Sequence, residues 1–168
     1  MLQLSNQALQ LTQNILQRRN PQAIAAVHGS PEYACIRGTV FFYQTEHGTL
    51  VLADISGLPN PSEPCKSPIF AFHIHSGGSC SGNAENPFAD ALGHYNPGDC
   101  LHPYHAGDLP PLFGCHGYAF SCFLTSRFAV REIIGRTIII HANPDDFTTQ
   151  PSGAAGKMIA CGKIHNHI

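Results

Sequence analysis

Histidine and aspartate recur in this chain at spacings that suit metal ions. The 168 residues include 11 histidines, and histidine is the commonest side-chain metal ligand. The run "FAFHIHSGGSC" (residues 70–80) places His73 and His75 one residue apart in an apolar stretch, with Cys80 following. On a strand, alternate side chains share a face, so the two imidazoles can clamp one object. In "GHYNPGDCLHPYHAGDLP", His94 is followed by His102, His105 and Asp108, the last three each three residues apart. A loop can gather them around one ion, and three imidazoles with one carboxylate make a closed tetrahedral zinc set. His141 ends the apolar run "RTIIIH" as His75 ends "FAFHIH". Three histidines on two strand ends, joined by one from the loop, suit a tetragonal copper site.

The elements that must position these groups read as short strands. "CIRGTVFFYQTEHGTLVLADISGLP" is a hairpin: Val40 to Tyr43 suit one strand, "TEHG" a turn, and Leu50 to Ile55 the next. "PNPSEPCKSP" is loop by its prolines, and "IFAFHIH" is a strand. Residues 76–115 carry almost no apolar period and are rich in Gly, Asn, Asp, Pro and His. So long an irregular stretch in a compact domain points to function, or to a metal or disulfide that holds it. "GYAFSCFLTS", "GRTIIIH" and "KMIACGKI" return to strand character, with "HANPDDFTTQPSGAAG" as a second long loop. The expected fold class is all-β: seven or eight short strands in a β-sandwich or Greek-key barrel. A hydrophobic content of 43% against 12% charged residues supports a well-cored domain. A net charge of -2 argues against nucleic acid as a partner. No stretch reaches the ~20 apolar residues of a membrane span.

The first residues, "MLQLSNQALQLTQNILQRRNP", lack the basic start and apolar run of a secretory signal. Leu4, Ala8, Leu11 and Ile15 fall on one helical face, with Leu2, Leu9 and Leu16 beside it, and Pro21 stops the helix. The expectation is a helical extension over residues 1–28 and a β domain over residues 29–168. The helix would pack on the domain or on a second subunit. The absence of acidic residues from 1–31 makes an organelle-targeting peptide the alternative. Without an export signal in the chain, the expected location is cytoplasmic. Seven cysteines leave at least one unpaired within the chain, and no CxxC pair occurs, which argues against a zinc ribbon or a thioredoxin-type site.

Taken in order, "FHIHSGGSC", "GHYNP", "HAGDLP", "GRTIIIHANPDD" and "GAAGKMIACGKI" resemble the copper–zinc superoxide dismutase family, most closely its bacterial type. The likeness runs from about residue 33 to residue 164. It implies an eight-stranded Greek-key β-barrel with two long functional loops, and copper and zinc as cofactors. By the resemblance, His73, His75, His94 and His141 would hold copper, and His94, His102, His105 and Asp108 would hold zinc. His94 would then bridge the two ions and act catalytically, carrying a proton between two superoxide radicals that become oxygen and hydrogen peroxide. Asp145 matches an outer carboxylate that orients a histidine of each set, here His73 and His102, although Asp146 competes for that role. Cys80 and Cys161 match the family's intrasubunit disulfide. The zinc segment between His102 and His105 is much shorter than the family's. Superoxide is the implied substrate; a homodimer and a copper donor protein are the further partners left open.

The remaining cysteines and histidines have other expectations. Cys100 could pair with Cys65 or Cys115, while Cys35 and Cys122 read as buried free thiols. His28, His47 and His116 read as surface residues, and His165 and His167 as a frayed tail. One departure bears on rate. Fast members of the family carry a guiding arginine two positions before "ACG"; here that position is Met158, with Lys157 beside it as candidate for anion guidance. Slower dismutation is therefore expected. A metal-binding protein with weak or no dismutase activity is the alternative.

Overall fold

The computed structural model describes residues 20–61 and 68–167. The expected N-terminal helix and Cys65 lie outside these residues. Among the described residues nine strands form: β1 Ala23–Gly29, β2 Arg37–Thr45, β3 Gly48–Ser56, β4 Ile69–Phe70, β5 Phe72–His75, β6 Leu112–Phe113, β7 Tyr118–Thr125, β8 Thr137–His141 and β9 Met158–Asn166. A single helical turn, α1 (Val130–Ile133), precedes β8. Seven strands make one curled antiparallel sheet in the order β5-β8-β9-β1-β2-β3-β7, and β4 pairs with β6 separately. The all-β expectation holds, with nine described strands in two sheets rather than eight in one barrel. The sequence reading missed β1. It pairs with both β9 and β2, so the β domain begins before residue 29. Its run "AIAAVHG" is alanine-rich, and packing between two neighbours overrides weak strand propensity.

The register sorts the side chains. Phe72 lies opposite Ile140, and Ile74 opposite Ile138; all four are fully buried in the main core with Phe42, Val51 and Ile159. The intervening residues pair as His73 with Ile139 and His75 with Thr137. Alternation turns these, and His141 after them, to the outer face of the curled sheet. Yet His73 is 0% exposed and His141 is 4% exposed. The outer face here is roofed by residues 76–111 and 142–157, which is why β8 is buried on both sides.

A disulfide joins Cys80 to Cys161 across 81 residues, with Cα atoms 5.7 Å apart. It fastens the first loop to β9, and closing so long a loop contributes about 2–4 kcal/mol. Under it, Phe88, Ala91, Ile139 and Cys161 form a small apolar cluster, with Met158 and Cys80 packed against it. Cys35, Cys100, Cys115 and Cys122 are free and exposed. Cys100 and Cys115 thus do not pair with each other. The expectation of buried thiols at Cys35 and Cys122 fails: Cys122 sits on an outward position of edge strand β7, and Cys35 in the turn between β1 and β2.

Candidate metal centre

The fold brings two groups of ligand atoms together. His73, His75, His94 and His141 each offer a ring nitrogen within 4.8 Å of the others, and so do the ligand atoms of His94, His102, His105 and Asp108. His94 belongs to both groups. β5 supplies His73 and His75, β8 supplies His141, and the first loop supplies the rest. An isolated bridge between His75 and His94 and another between His73 and Asp108 stitch that loop onto β5.

Hydrogen bonds decide which nitrogen of each ring stays free. His75 Nδ1 donates to the Leu92 carbonyl at 2.6 Å, and His141 Nδ1 donates to the Gly156 carbonyl at 3.2 Å. Both Nε2 atoms are therefore bare acceptors, and they face each other at 3.3 Å. His73 Nε2 donates to Asp145 Oδ2 and His102 Nε2 to Asp145 Oδ1, each at 2.9 Å. That leaves His73 Nδ1 and His102 Nδ1 buried without a hydrogen-bond partner, as is His94 Nε2. Buried polar atoms rarely go unpaired. Here the orphans point into the two groups, and facing lone pairs need a cation between them. The donor set thus fits two metal ions: one position for His73 Nδ1, His75 Nε2, His94 Nε2 and His141 Nε2, the other for His94 Nδ1, the remaining Nδ1 atoms and Asp108. Four imidazoles suit copper, and three with a carboxylate suit zinc.

Electrostatics agree with this. Burial and the neighbouring His94 and His141 rings push the His73 pKa far below its ordinary value. Burial, with His141 and His94, lowers His75 to about 3. Burial also lowers His141 to about 4, against its bond to Gly156. Imidazoles kept neutral are imidazoles ready to coordinate. Burial pushes the Asp108 carboxyl up, but the His94 hydrogen bond and the three nearby rings outweigh it and hold it ionised.

The supports lie mostly outside the sequence motifs. Arg127, after β7, donates from Nη1 to the carbonyls of Pro103, His105 and Asp108 at 3.0, 3.0 and 3.1 Å. Gln150 brackets His102, accepting from its N–H at 3.0 Å and donating to its carbonyl at 2.7 Å. Gly153, at φ 69°, passes so close that a Cβ would collide with Asp145 Oδ1 and His102 Nε2. Arg127 and Gln150 carry no spacing signal, whereas Gly153 opens the motif "GAAGKMIACGKI". Asp146 does not join the rings; it accepts from Thr148 and Thr149 within its own loop. His28, His47, His116, His165 and His167 are exposed and stand apart from both groups.

A cleft of about 890 Å³ opens onto His75, His94 and His141. Lys157 and Met158 both line it. Side chains of neighbouring residues on a regular strand diverge, but the β8–β9 register slips between Ile140 and His141, where Met158 begins β9. Lys157 is the cation among the described lining residues, while Glu32 and Glu85 are anions. Lys157 Nζ lies 3.8 Å from a Glu32 carboxylate oxygen, both side chains well exposed.

Comparison with known proteins follows the same lines. A profile described as "Copper/zinc superoxide dismutase (SODC)" matches residues 36–164. "Superoxide dismutase [Cu-Zn] 2" of Aquifex aeolicus is 32% identical over 142 residues, covering 76% of this chain and 78% of the relative. "Superoxide dismutase [Cu-Zn]" of Legionella pneumophila is 33% identical over 135 residues, covering 76% of each chain. Among solved structures, the Cu/Zn superoxide dismutase from Brucella abortus superposes with a TM-score of 0.69 at 23% identity, covering 84% of this chain and 98% of its own. That last likeness speaks to the fold.

Two predictions arise here. Replacing Arg127 with Ala frees three loop carbonyls at once, and zinc affinity, read by competition with a chelator, is expected to fall about 10–100-fold; copper affinity should fall less. In metal-stripped protein, His75 and His141 stay neutral in the fold but take up protons near the ordinary 6.5 when unfolded. The unfolded state then binds more protons, so stability rises with pH in that window. Denaturation midpoints of the stripped protein should hold above pH 6.5 and decline from there towards pH 4. A flat profile would contradict the buried, neutral rings.

Proposed function

The chain belongs to the copper/zinc superoxide dismutase family, and we propose that its two ligand groups divide the conversion of two superoxide radicals and two protons to oxygen and hydrogen peroxide. In this reading His73, His75, His94 and His141 hold copper. His94, His102, His105 and Asp108 hold zinc. Bound copper supplies the one-electron couple, and bound zinc supplies a fixed charge that is redox-inert. The observation that supports the assignment is the set of unpartnered ring nitrogens, His73 Nδ1, His94 Nε2 and His102 Nδ1, beside the facing Nε2 pair of His75 and His141.

The chain's own residues do the rest. Of the four rings assigned to copper, His75, His94 and His141 reach the cleft while His73 stays sealed beneath, so substrate meets the copper position from one side. His94 is held at Nδ1, 2.7 Å from Asp108 Oδ1, and keeps Nε2 free of any protein partner. That nitrogen is the atom that can take a proton beside the substrate and return it to the departing peroxide. Leu92, at φ 62° and ψ −151°, turns its carbonyl onto His75 Nδ1 and so sets that ring's tautomer. A second copy of the chain and a copper donor protein belong to the same proposal as partners, the donor because the copper position is roofed on all sides but the cleft.

Attraction of the substrate anion is the weak part of this design. A local positive field at a cleft raises capture of an anion by one to three orders of magnitude. Here Met158 fills the guiding position with an apolar side chain that packs on the Phe88–Ala91–Ile139–Cys161 cluster. Lys157 faces the cleft but shares it with Glu32 and Glu85. Its exposed pair with Glu32 is worth little, so the lysine remains available for guidance.

On protein carrying one copper and one zinc per chain, superoxide decay after pulse radiolysis is expected to be catalytic. Met158→Arg should quicken it about tenfold at low salt, with the gain fading as ionic strength rises. Full metal content with decay no faster than background would overturn the dismutase reading. A Met158→Arg rate and salt dependence equal to the parent's would overturn the guidance account alone.

A further inference from the structure

The two edges of the large sheet, β5 and β7, meet different fates. β5 is stitched to the first loop through the His73–Asp108 and His75–His94 bridges. β7 is paired on its outer side at its start, where the Tyr118 N–H and carbonyl both bond to Cys115. From Ala119 to Thr125, no backbone hydrogen bond reaches that side among the described residues. The neighbouring segment cannot close it. Leu109, Pro110 and Pro111 line a groove of about 470 Å³ together with Phe123, Leu124 and Thr125, and prolines have no N–H to give to a ladder. Open edges are normally guarded by charge, proline or a bulge. β7 reads YAFSCFLT, with no charge and no proline, and it pairs with β3 in unbroken register. Its outward side chains are wet: Phe120 is 57% and Leu124 44% exposed, and between them Cys122 is an exposed free thiol.

We propose that the open edge of β7 pairs antiparallel with the same edge of a second copy of the chain, on a two-fold axis through Cys122. An antiparallel pair of identical strands is two-fold symmetric by itself, so one open edge supplies both halves of the interface. The open stretch, 119–125, has Cys122 at its midpoint. An axis there leaves no open residue unpaired: Ala119 meets the partner's Thr125, Phe120 the partner's Leu124, Ser121 the partner's Phe123, and Cys122 the partner's Cys122. The outer N–H and carbonyl groups of the two strands then bond to one another. Each Phe120 lies across from a leucine, an aromatic–aliphatic pair of the kind that stabilises sheets, and the two pairs flank the thiols. The groove beside Phe123 and Leu124 takes the start of the partner's strand. This self-match, residue for residue and free of charge, favours a second copy over an unrelated extended peptide. No β7 residue lines the metal cleft, so pairing leaves that cleft open. The proposal supplies a surface for the second copy and stands independently of the dismutase reading.

Sedimentation of the metal-loaded, full-length chain should show a dimer that dissociates on dilution, since so short a paired edge makes an interface of the small class. Phe120→Lys with Leu124→Lys sets like charges across from each other at exposed positions. The double variant should dissociate about tenfold more readily or worse, with metal content and superoxide decay unchanged. A chain carrying Cys35→Ser, Cys65→Ser, Cys100→Ser and Cys115→Ser keeps Cys122 as its free thiol. In its dimer, diamide should join Cys122 to the partner's Cys122, the two thiols giving up their hydrogens to the diazene. Cα atoms paired across antiparallel strands lie about 4.5–5.5 Å apart, within reach of a disulfide. A chain that sediments as a monomer at its highest soluble concentration overturns the proposal. A dimer that the two lysines leave intact, or one in which Cys122 does not cross-link, also overturns it and assigns the contact to another face. Hydrogen exchange on the unsubstituted chain covers a lysine variant that does not fold. Alternate amides within 119–125 should slow as protein concentration rises; rates there that ignore concentration exclude the pairing.

Discussion

One buried carboxylate couples the two ligand groups. Asp145 accepts from His73 on one oxygen and from His102 on the other, both at 2.9 Å. His73 sits on a core strand and His102 on the first long loop, while Asp145 belongs to the second. Through this one residue the sheet and both loops share a single geometry. The same contacts decide which nitrogen of each ring points inward, since a ring that donates from Nε2 to a carboxylate keeps Nδ1 for a metal. Asp145 also accepts from the Phe147 N–H at 2.7 Å, so its own orientation is set by the turn that follows it.

The centre lies on the outside of the curled sheet, and this shapes the rest of the molecule. The inner face is filled by aliphatic and aromatic side chains, which leaves no space for ions. The outer face must be dried by loops, and these loops have little regular structure to hold them. Specific fastenings stand in for it: the Cys80–Cys161 disulfide, the threefold grip of Arg127 on the loop carbonyls, the Gln150 bracket around His102, and Gly153 allowing close approach to Asp145. Arg136 adds another, donating to the Ser76 carbonyl at 3.1 Å and lying 4.0 Å over the Tyr95 ring.

Packing and electrostatics compete at the mouth of the cleft. Met158 adds apolar contact to the cluster beneath the disulfide, where an arginine would carry charge towards the substrate. The slipped register at His141 brings Lys157 onto the same cleft. A lysine on an exposed stem offset by two glutamates makes a weaker field than a fixed guanidinium would. In the proposed reading the chain keeps its metal ligands and gives up part of the long-range attraction.

Much of this protein was legible in the residues themselves. Alternation on "FHIH" put two imidazoles on one face, because strand geometry has a period of two whatever surrounds it. The order of five motifs pointed to the family, to the residues that gather in the two candidate ligand groups and to the Cys80–Cys161 pairing. Other features were set only by folding. β1 was missed because "AIAAVHG" becomes a strand through the neighbours on its two sides. Cys35 and Cys122 looked like core thiols, but whether a strand face is wet depends on what packs over it. Arg127 and Gln150 had no signature, since a side chain that grips backbone carbonyls answers to the path of a distant loop and not to its own sequence neighbours. The sequence by itself determined which residues could bind metal, because chemistry resides in residue type and local spacing. Which nitrogens are free to do so, and which loops hold them dry, was decided by tertiary contacts between segments far apart in the chain.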